Sequence, residues 1–593
     1  MPDGVAGVRS SGDLRRSPGS VAVGPPAPGL RPPDTEREVD LSADAAGWPS
    51  RAVPPRVSHE AMQKSMTVHD TVPAAGARPA TGSRVEVGTG PVTRAEVVAV
   101  ARHGAGVVLS EEAQAAVAAS RAVVEALADD PVPHYGVSTG FGALANRHIP
   151  PDRRAELQRS LVRSHAAGSG PEVEREVVRA MLLLRLSTLA TGRTGVRPAT
   201  ARGYAALLDA GITPVVAEYG SLGCSGDLAP LAACALALTG EGPVRDAAGA
   251  LRPAADALAE AGIEPVVLRE KEGLALINGT DGMLGMLLLA CHDLETLLRT
   301  ADVAAAMSVE ALLGTDAAFA ADLQALRPHP GQAASAANLR ALLAGSGLVA
   351  SHRHPGCTRV QDAYSLRCTP QVHGAVRDTV AHALAVADRE LAAAVDNPVV
   401  LPDGRLESNG NFHGAPVAYV LDFVAIAVAD LAGISERRTD RHLDVARSHG
   451  LPAFLADDAG VDSGYMIAQY TQAAVVSELK RLAVPASVDS IPSSAMQEDH
   501  VSMGWSSARK LRRAVDGLTR VVAIELLVAA RSLDLRHPLE PAPGTAVVRD
   551  ALRARVPGPG PDRHLAPEVD AAVDLVASGR ALAAAESVLG PLA

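Results

Sequence analysis

Aromatic side chains are scarce in this sequence: Phe, Trp and Tyr make up 2% of its 593 residues, whereas hydrophobic residues as a whole make up 47%. A core of this composition is built mainly from Ala, Leu and Val. Such residues favour closely packed helices over β-sandwiches and barrels, which depend on β-branched and aromatic side chains. The chain is long enough for one large domain or several ordinary ones.

Basic residues are also in deficit, with 55 Lys and Arg against 67 Asp and Glu, which gives a formal net charge of -12. Binding to nucleic acid needs a basic face that neutralises phosphates. We therefore expect no nucleic-acid partner.

Cysteine is rare and irregularly spaced, and no C-x-x-C pair occurs. The five cysteines are at positions 224, 234, 291, 357 and 368. This count and spacing argue against a disulfide framework or a zinc ribbon and favour a reducing compartment. The expected location is therefore the cytoplasm.

Long apolar runs and an apolar leader are missing as well. A membrane span needs roughly 18 consecutive apolar residues, but the richest stretch, 283–291, is shorter and is followed by His292 and Asp293. The N-terminus has no apolar segment of the kind that a secretory signal contains. We expect no membrane partner.

Residues 1–85 differ in composition from the rest, since they are rich in Pro, Gly, Arg and Asp without sustained apolar periodicity. Such a stretch buries too little surface to offset the entropy lost on ordering. We predict a disordered extension, or a translation start at Met62 or Met66. Residues 86–593 are predicted to form one catalytic unit, with a loop-rich region at 86–290 followed by a helical bundle and C-terminal helices at 291–593.

Apolar residues recur at three- and four-residue spacing through most of the chain, which is typical of helices. The predicted long helices lie at 111–128, 172–189, 293–313, 379–395, 417–434, 468–482 and 507–530. A Pro-rich break is predicted at 538–562, followed by a short C-terminal helix. Several helices are apolar around much of their circumference, which indicates burial in a large bundle or an oligomer core. The predicted fold class is mainly α, a long-helix bundle that holds Gly-rich loops suited to catalysis.

The strongest local pattern is Gly-Ser-Leu-Gly-Cys-Ser-Gly-Asp-Leu-Ala-Pro at 220–230. Small residues let the backbone adopt turns that larger side chains forbid. In a tight enough turn the amide nitrogen of Gly226 can reach the carbonyl carbon of Cys224. Cyclisation with loss of two waters, one of them from the Ser225 hydroxyl, would give an imidazolone with an electrophilic exocyclic alkene.

The residues alone leave other interpretations of this segment open. A plain tight turn is the most common use of such a pattern. A serine-hydrolase elbow fits poorly, because it requires glycine two residues to either side of the serine and Asp227 occupies one of those positions. A thiol nucleophile at Cys224 would need a histidine partner that the sequence does not reveal.

Six segments together resemble the aromatic amino acid ammonia-lyase family, and the resemblance extends over nearly the whole chain from about residue 86. The segments are YGVSTGFG at 135–142, GSLGCSGDLAP at 220–230, KEGLALINGT at 271–280, QDAYSLRC at 361–368, NGNFHG at 409–414 and QEDHVSMG at 497–504. Their occurrence in this order is very specific. The resemblance implies the family's fold and a homotetramer whose active sites are shared between subunits.

The resemblance also implies a methylidene-imidazolone (MIO) cofactor formed from Cys224, Ser225 and Gly226. The family triad is usually Ala-Ser-Gly, so Cys224 is a departure. Only backbone atoms of Cys224 would take part in the ring, so a small side chain should be tolerated. Its thiol could still alter cyclisation or make the site sensitive to oxidation.

Further roles follow from the matching segments. The resemblance makes Tyr135 the base that removes a β-proton, Tyr364 and Gln361 polar neighbours of the reacting atoms, Asn278 a ligand of the cofactor carbonyl, and Phe412 a shield against water. Arg367 would bind the substrate carboxylate, since its planar guanidinium suits a bidentate contact. A free tyrosine has a pKa near 10, so Tyr135 must be activated by donors or by positive charge.

Two positions favour L-histidine as the substrate, which would yield trans-urocanate and ammonia. Family members that act on histidine carry Ser-His at the position of residues 164–165, so His165 is expected to hydrogen-bond the substrate imidazole. Glu478 is the second, since members that act on phenylalanine or tyrosine tend to have a neutral residue there. A carboxylate on an apolar helical stripe is costly unless it is paired, and the substrate imidazole could be its partner. The alternative is that Glu478 pairs with Lys480 or a nearby arginine.

Other functions are compatible with parts of the pattern. A tyrosine or phenylalanine ammonia-lyase, or a 2,3-aminomutase, would share the chemistry. An inactive family member could serve as a scaffold, but Tyr135, Ser225 and Arg367 are all present.

Two polar clusters could mimic further sites. His352, His354 and Cys357 have the residue types of a metal site, but no fourth ligand is evident, so we expect no metal. Residues 498–500, Glu-Asp-His, could mimic an acid/base group. We interpret them as loop scaffolding near the site.

Overall fold

The computed structural model describes residues 84–357 and 359–593. The extension predicted at 1–85 lies outside these residues except for Arg84 and Val85, which begin the first strand.

Helices dominate the described residues, as the sequence predicts. Those of the N-terminal half are α1 (Arg94–Ala101), α2 (Glu111–Ala128), α3 (Arg154–His165), α4 (Arg175–Ala190), α5 (Pro198–Asp209), α6 (Leu228–Leu238), α7 (Ala254–Glu260) and α8 (Glu272–Ile277). They continue with α9 (Asp281–Ala311), α10 (Ala321–Ala325), α11 (Pro330–Leu343), α12 (Gly347–Ala350), α13 (Tyr364–Arg367), α14 (Thr369–Leu391) and α15 (Ala415–Leu443). The C-terminal part contains α16 (Met466–Leu482), α17 (Gly504–Asp534), α18 (Pro543–Arg553), α19 (Ala566–Ala577) and α20 (Arg580–Leu589).

Helix α2 illustrates how local sequence sets a boundary. Ser110 caps it by accepting a hydrogen bond from the amide of Ala113 at 3.0 Å, and two glutamates in the first turn complement the helix dipole. Val117 and Val124, which lie one and three turns beyond Ala113, are buried. The predicted bounds of this helix are confirmed.

The strands are short and form small sheets at the edge of the helical body. They are β1 (Arg84–Val87), β2 (Gly106–Leu109), β3 (Ser169–Glu172), β4 (Thr213–Pro214), β5 (Ala217–Tyr219), β6 (Pro243–Arg245), β7 (Leu251–Pro253), β8 (Val399–Val400) and β9 (Leu406–Glu407). β1 and β2 are parallel, whereas β3–β5, β4–β6–β7 and β8–β9 pair antiparallel. None of these strands was predicted from the sequence.

The centre of the fold is a bundle of α9, α14, α15 and α17. Its core is mainly Ala, Val and Leu, as the composition predicts. A buried carboxylate, Glu525, lies inside it and accepts hydrogen bonds from Ser308 at 2.8 Å, Ser435 at 2.6 Å and Arg438. The Glu525 and Arg438 side chains are both fully buried. A charge removed from water is tolerated when its acceptors are satisfied in this way.

Several predicted boundaries differ from the observed ones. Helix α9 begins twelve residues before the prediction, because its first turn is buried and carries no polar face that would give a period. The region 538–562 is not a simple break, since it contains α18, which begins at a proline in its first turn. The predicted single C-terminal helix is two helices separated at Gly579.

Helix α15 bears on the expectation that no run of consecutive apolar residues approaches a membrane span. Among the described residues, α15 is long and apolar enough by length and composition, with a mean hydropathy of 2.0 over 18 residues. Asp422 and Asp430 both fall inside that stretch. The structure buries 61% of it, and a core helix of a bundle has the same properties.

Candidate active site

The loop 220–227 is held in place by the N-terminus of α9. Asp227 is fully buried, and its carboxylate accepts hydrogen bonds from the amides of Gly282 at 2.9 Å and Met283 at 3.0 Å. Ser221 donates to the same carboxylate at 3.0 Å. Burial raises the pKa of Asp227 to about 7, and these donors oppose the rise. The loop is therefore anchored, directly after the triad, to one of the two 31-residue helices of the core.

The triad itself forms a very tight turn. The amide nitrogen of Gly226 lies 2.5 Å from the carbonyl oxygen of Cys224. Gly226 has a φ of +86°, a conformation that favours glycine, and a methyl group on it would overlap the backbone of Gly279. The Asp227 amide also donates to the Gly279 carbonyl at 2.7 Å. The turn presses the nucleophilic nitrogen against the carbonyl group that cyclisation requires.

Cys224 faces a carboxylate from a distant part of the chain. Its Sγ donates to Oε2 of Glu498 at 3.3 Å, and Oγ of Ser493 donates to the same oxygen at 3.2 Å. Burial, followed by the charge of Glu498, raises the pKa of the Cys224 thiol to about 12. The thiol is therefore protonated at neutral pH, which argues against the oxidation sensitivity that the sequence suggested.

Tyr135 lies on the neighbouring loop, beside the short 3-10 helix Gly142–Leu144. Its hydroxyl oxygen accepts a hydrogen bond from the Gly142 amide at 3.2 Å. Burial raises the pKa of Tyr135, the Gly142 N–H lowers it, and the carboxylates of Glu498 and Asp396 raise it. Within the described residues, the Gly142 amide is thus the one donor that lowers the pKa of Tyr135, and no positive charge lowers it.

His165 ends α3 and is half-buried. Its Nδ1 lies 2.9 Å from the carbonyl oxygen of Leu161 and 3.1 Å from Oγ of Ser164. Burial lowers the pKa of His165, while the Leu161 contact and the Glu498 carboxylate raise it. The imidazole is therefore neutral near pH 7, and Glu498 interacts electrostatically with it.

Asn278 and Phe412 lie on two further loops of the same cluster. Asn278 directly precedes Gly279, and its Nδ2 donates to the Asn397 carbonyl at 2.7 Å. Phe412 lies two residues before Gly414, whose amide donates to the Gly223 carbonyl at 3.3 Å. Both predicted site residues are therefore close in the chain to a residue that contacts the 223–226 turn.

Gln361, Tyr364 and Arg367 lie elsewhere in the protomer. The Arg367 guanidinium stacks 4.7 Å from the ring centroid of Tyr364, which is 71% exposed. Their segment is fixed beyond the C-terminal end of α9, where the Thr315 amide donates to Asp362 at 2.7 Å. The triad is fixed at the N-terminal end of the same helix. Its 31 residues make α9 about 46 Å long, so one protomer does not bring the two groups together.

Glu478 is paired within its own helix in the protomer, and its predicted contact with the substrate imidazole stays a prediction. It does not face an apolar surface: its side chain is 53% exposed and forms an ion pair with Arg481 one turn along α16. This is the structural alternative that the sequence left open. The apolar stripe is real, since Leu479 is buried, but Glu478 lies at its solvent-facing edge.

Glu498 is a carboxylate of the candidate site to which the sequence analysis gives only a scaffolding role. It contacts Cys224 directly and interacts with both Tyr135 and His165. The available signal was its position in QEDHVSMG, one of the six family-like segments. Because Glu498 lies outside any regular helix, no periodicity in the sequence indicates where its side chain points.

The cluster at His352–Cys357 has no metal-like arrangement. His352 uses Nε2 for the carbonyl oxygen of Gly314 at 3.1 Å. In the described ranges, no three His, Cys, Asp or Glu side chains are grouped so as to hold a metal ion.

The comparisons with known proteins agree with this arrangement. The family model of the aromatic amino acid lyases matches residues 92–554. A histidine ammonia-lyase of Streptomyces coelicolor is 69% identical over 509 residues, which cover 86% of this chain and 99% of that protein. A histidine ammonia-lyase of Gloeobacter violaceus is 51% identical over 84% of this chain and 96% of that protein.

Two solved structures have a similar fold. The tyrosine aminomutase of Streptomyces globisporus superposes with a TM-score of 0.80 at 40% identity, covering 84% of this chain and 98% of that one. The histidine ammonia-lyase of Trypanosoma cruzi gives a TM-score of 0.78 at 40% identity, over 85% and 95% of the two chains. Together with the triad turn and the loops gathered around it, these matches establish that the chain belongs to the aromatic amino acid lyase family.

Proposed function

We propose that this chain is a histidine ammonia-lyase, which eliminates ammonia from L-histidine to give trans-urocanate. The observation that carries the proposal is that Glu498, which contacts Cys224 of the triad, lies close enough to His165 for its charge to act on the imidazole. Two hydrogen-bonding side chains suit an imidazole, whereas an apolar phenyl ring would leave them unpaired at a cost. The identity of 69% to a histidine ammonia-lyase over most of the chain supports the same substrate.

A tyrosine or phenylalanine ammonia-lyase or aminomutase is the second candidate. It is favoured by the tyrosine aminomutase fold match. The polar pair His165 and Glu498 is the feature that argues against it.

The cofactor would be the imidazolone made from Cys224, Ser225 and Gly226. The amide nitrogen of Gly226 forms a bond to the Cys224 carbonyl carbon, whose oxygen leaves as water, and Ser225 loses its hydroxyl and α-proton as a second water. Two observations fit this ring: the amide nitrogen of Gly226 lies 2.5 Å from the carbonyl oxygen of Cys224, and the space between Gly226 and Gly279 admits no side chain. When present, the group supplies an electrophilic carbon that turns the substrate amine into a better leaving group.

The chain's own residues would bind the substrate and move its proton. His165 and Glu498 orient the imidazole, a role that the sequence assigned to Glu478 and the geometry favours for Glu498. Tyr135 accepts the β-proton. Asn278 holds the cofactor carbonyl through the second N–H of its Nδ2, since only the first is engaged by the Asn397 carbonyl. Phe412 excludes water from the turn.

Arg367, with Tyr364 and Gln361, would bind the substrate carboxylate from a neighbouring protomer. Their position at the far end of α9 supports a site shared between chains. A guanidinium arriving from another protomer would also supply the positive charge that Tyr135 lacks within its own chain. Nε of Arg367 has no hydrogen-bond partner among the described residues, so this donor is unsatisfied within the protomer.

We propose a homotetramer on the same grounds. Tyr419, Phe423 and Ile426 are exposed on α15 at spacings of four and three residues, which forms an apolar stripe on one helical face. Such a stripe suits a subunit interface. The five free cysteines favour the cytoplasm as the location.

The experiment that tests the function is a near-ultraviolet assay of the purified protein with L-histidine, phenylalanine and tyrosine, with Ser225→Ala as the control. Urocanate from the wild type and none from the variant is the expected result. Cinnamate or coumarate without urocanate would transfer the proposal to the second candidate. Absence of all three products would favour an inactive scaffold.

A further inference from the structure

The thiol of Cys224 is the side chain by which this triad departs from the usual alanine of the family. Cyclisation uses only backbone atoms of this residue, so the thiol persists beside the finished ring. It lies 3.3 Å from Oε2 of Glu498 and donates to it. An alanine offers no donor at this position, so the contact is a property of this chain's own sequence.

We propose that Cys224 is a positioning residue for Glu498: its S–H group, together with Ser493, holds the carboxylate towards the substrate imidazole. This inference rests on the proposed function in so far as Glu498 binds imidazole. The hydrogen bond itself does not depend on the substrate.

The thiol acts as a donor because it stays protonated. Burial and the adjacent carboxylate both disfavour the thiolate. A thiol is a weak donor, but a hydrogen bond to an ionised acceptor is stronger than one to a neutral group. Glu498 therefore gains more from this donor than a neutral residue would.

The other groups around Glu498 make the donors important. From the loop at 135–142 it faces Tyr135, from α3 it faces His165, and from its own segment it faces Ser493. Tyr135 and His165 are neutral near pH 7, since burial raises the pKa of the first and lowers that of the second. Within the described protomer, the Glu498 carboxylate is thus held by hydrogen bonds from Cys224 and Ser493 and not by an ion pair.

The first test is the split between KM and kcat for L-histidine in Cys224→Ala and Cys224→Ser. Loss of a donor leaves the carboxylate less firmly oriented towards the substrate imidazole, so KM of Cys224→Ala should rise about two- to tenfold while kcat changes less. Serine restores a donor and should return KM towards the wild-type value. Cys234→Ala, which removes a fully buried thiol from α6, is the matched control and should leave KM unchanged. Equal KM values for wild type and Cys224→Ala would overturn the proposal.

The second test needs no turnover. The infrared S–H stretching band of Cys224 is assigned by its loss in Cys224→Ser, and it should move to higher wavenumber in Glu498→Gln, where the acceptor is neutral. An unmoved band would refute the hydrogen bond, even in a variant that fails to form its cofactor. Intact mass identifies such a variant, because its mass is not reduced by that of two waters. A wild type that is inactive on histidine but shows the band shift would refute the proposed function and leave the contact standing.

Discussion

Gly226 packs directly on Gly279, with no room for a methyl group between the two backbones. This contact lies beside the turn that brings the Gly226 amide to the Cys224 carbonyl, so it links the shape of one loop to the chemistry of the next. Four predictions follow from this and other contacts.

Gly226→Ala should abolish cofactor formation. Its methyl group would meet the Gly279 backbone and force the turn open. Gly249→Ala is the matched control, because Gly249 has a similar φ of +85° but nothing within 4 Å of an added methyl. The control should lose about 1–2 kcal/mol of stability from backbone strain and still mature. Intact mass distinguishes them: the control is lighter than its sequence by two waters, and a Gly226→Ala protein with the same deficit would contradict the prediction.

Glu498→Gln should lower kcat/KM for histidine by about ten- to a hundredfold, the range expected for loss of a hydrogen bond to a charged group. Glu478→Gln should have almost no effect, because that side chain is exposed and paired with Arg481. The two variants make the same chemical change to residues twenty positions apart. Comparable losses in both, measured by urocanate formation, would return the role to Glu478.

Ser225→Ala and Arg367→Ala should each be inactive, yet a mixed oligomer of the two should recover activity. The triad and Arg367 lie at opposite ends of α9, so an intact site can combine Ser225 from one chain with Arg367 from another. When the two variants mix randomly in equal amounts, about a quarter of the sites contain both Ser225 and Arg367. Co-expression with two affinity tags isolates the mixed species, and its complete inactivity would place both residues in sites made by a single chain.

Acidification should destabilise the protein through His442. This residue is fully buried, and burial, followed by the charges of Arg536 and Arg438, lowers its pKa to about 3. Between that pH and the ordinary histidine pKa near 6.5, the unfolded chain binds a proton that the folded chain refuses. Stability therefore falls as pH drops through this window. His442→Gln should reduce the fall in Tm between pH 7 and pH 4, and the exposed His103→Gln should not. Parallel curves for wild type and His442→Gln would show that His442 does not govern acid sensitivity.

The helical body could be predicted because its helices have apolar faces of regular period. Helix α2 was placed correctly for that reason. The start of α9 was not, because residues from Asp281 onward are buried all round, and a helix without a polar face has no period to detect. The short strands depend on pairing with distant segments, so local sequence does not reveal them.

The candidate site was predictable as a set of loops but not as a geometry. Small residues at 223–226 indicate a tight turn, and the turn is present. Glu478 and Glu498 show the limit: a helical stripe places 478 near an apolar edge, but tertiary packing decides which side of that edge faces water. Glu498 lies on an irregular loop, so only its contact with Cys224 reveals where its carboxylate points.

Helix α9 fixes the distance and the rotation between the segments attached to its two ends, which a surface loop would not fix. The triad loop is attached to its first turn and the Arg367 segment to the residues just past its last turn. One residue added in the middle of this helix would advance one end by about 1.5 Å and rotate it by roughly 100° relative to the other. Under the proposed shared site, the length of α9 in residues would therefore set the distance and orientation between the triad and the Arg367 segment, and so the way in which neighbouring chains must meet.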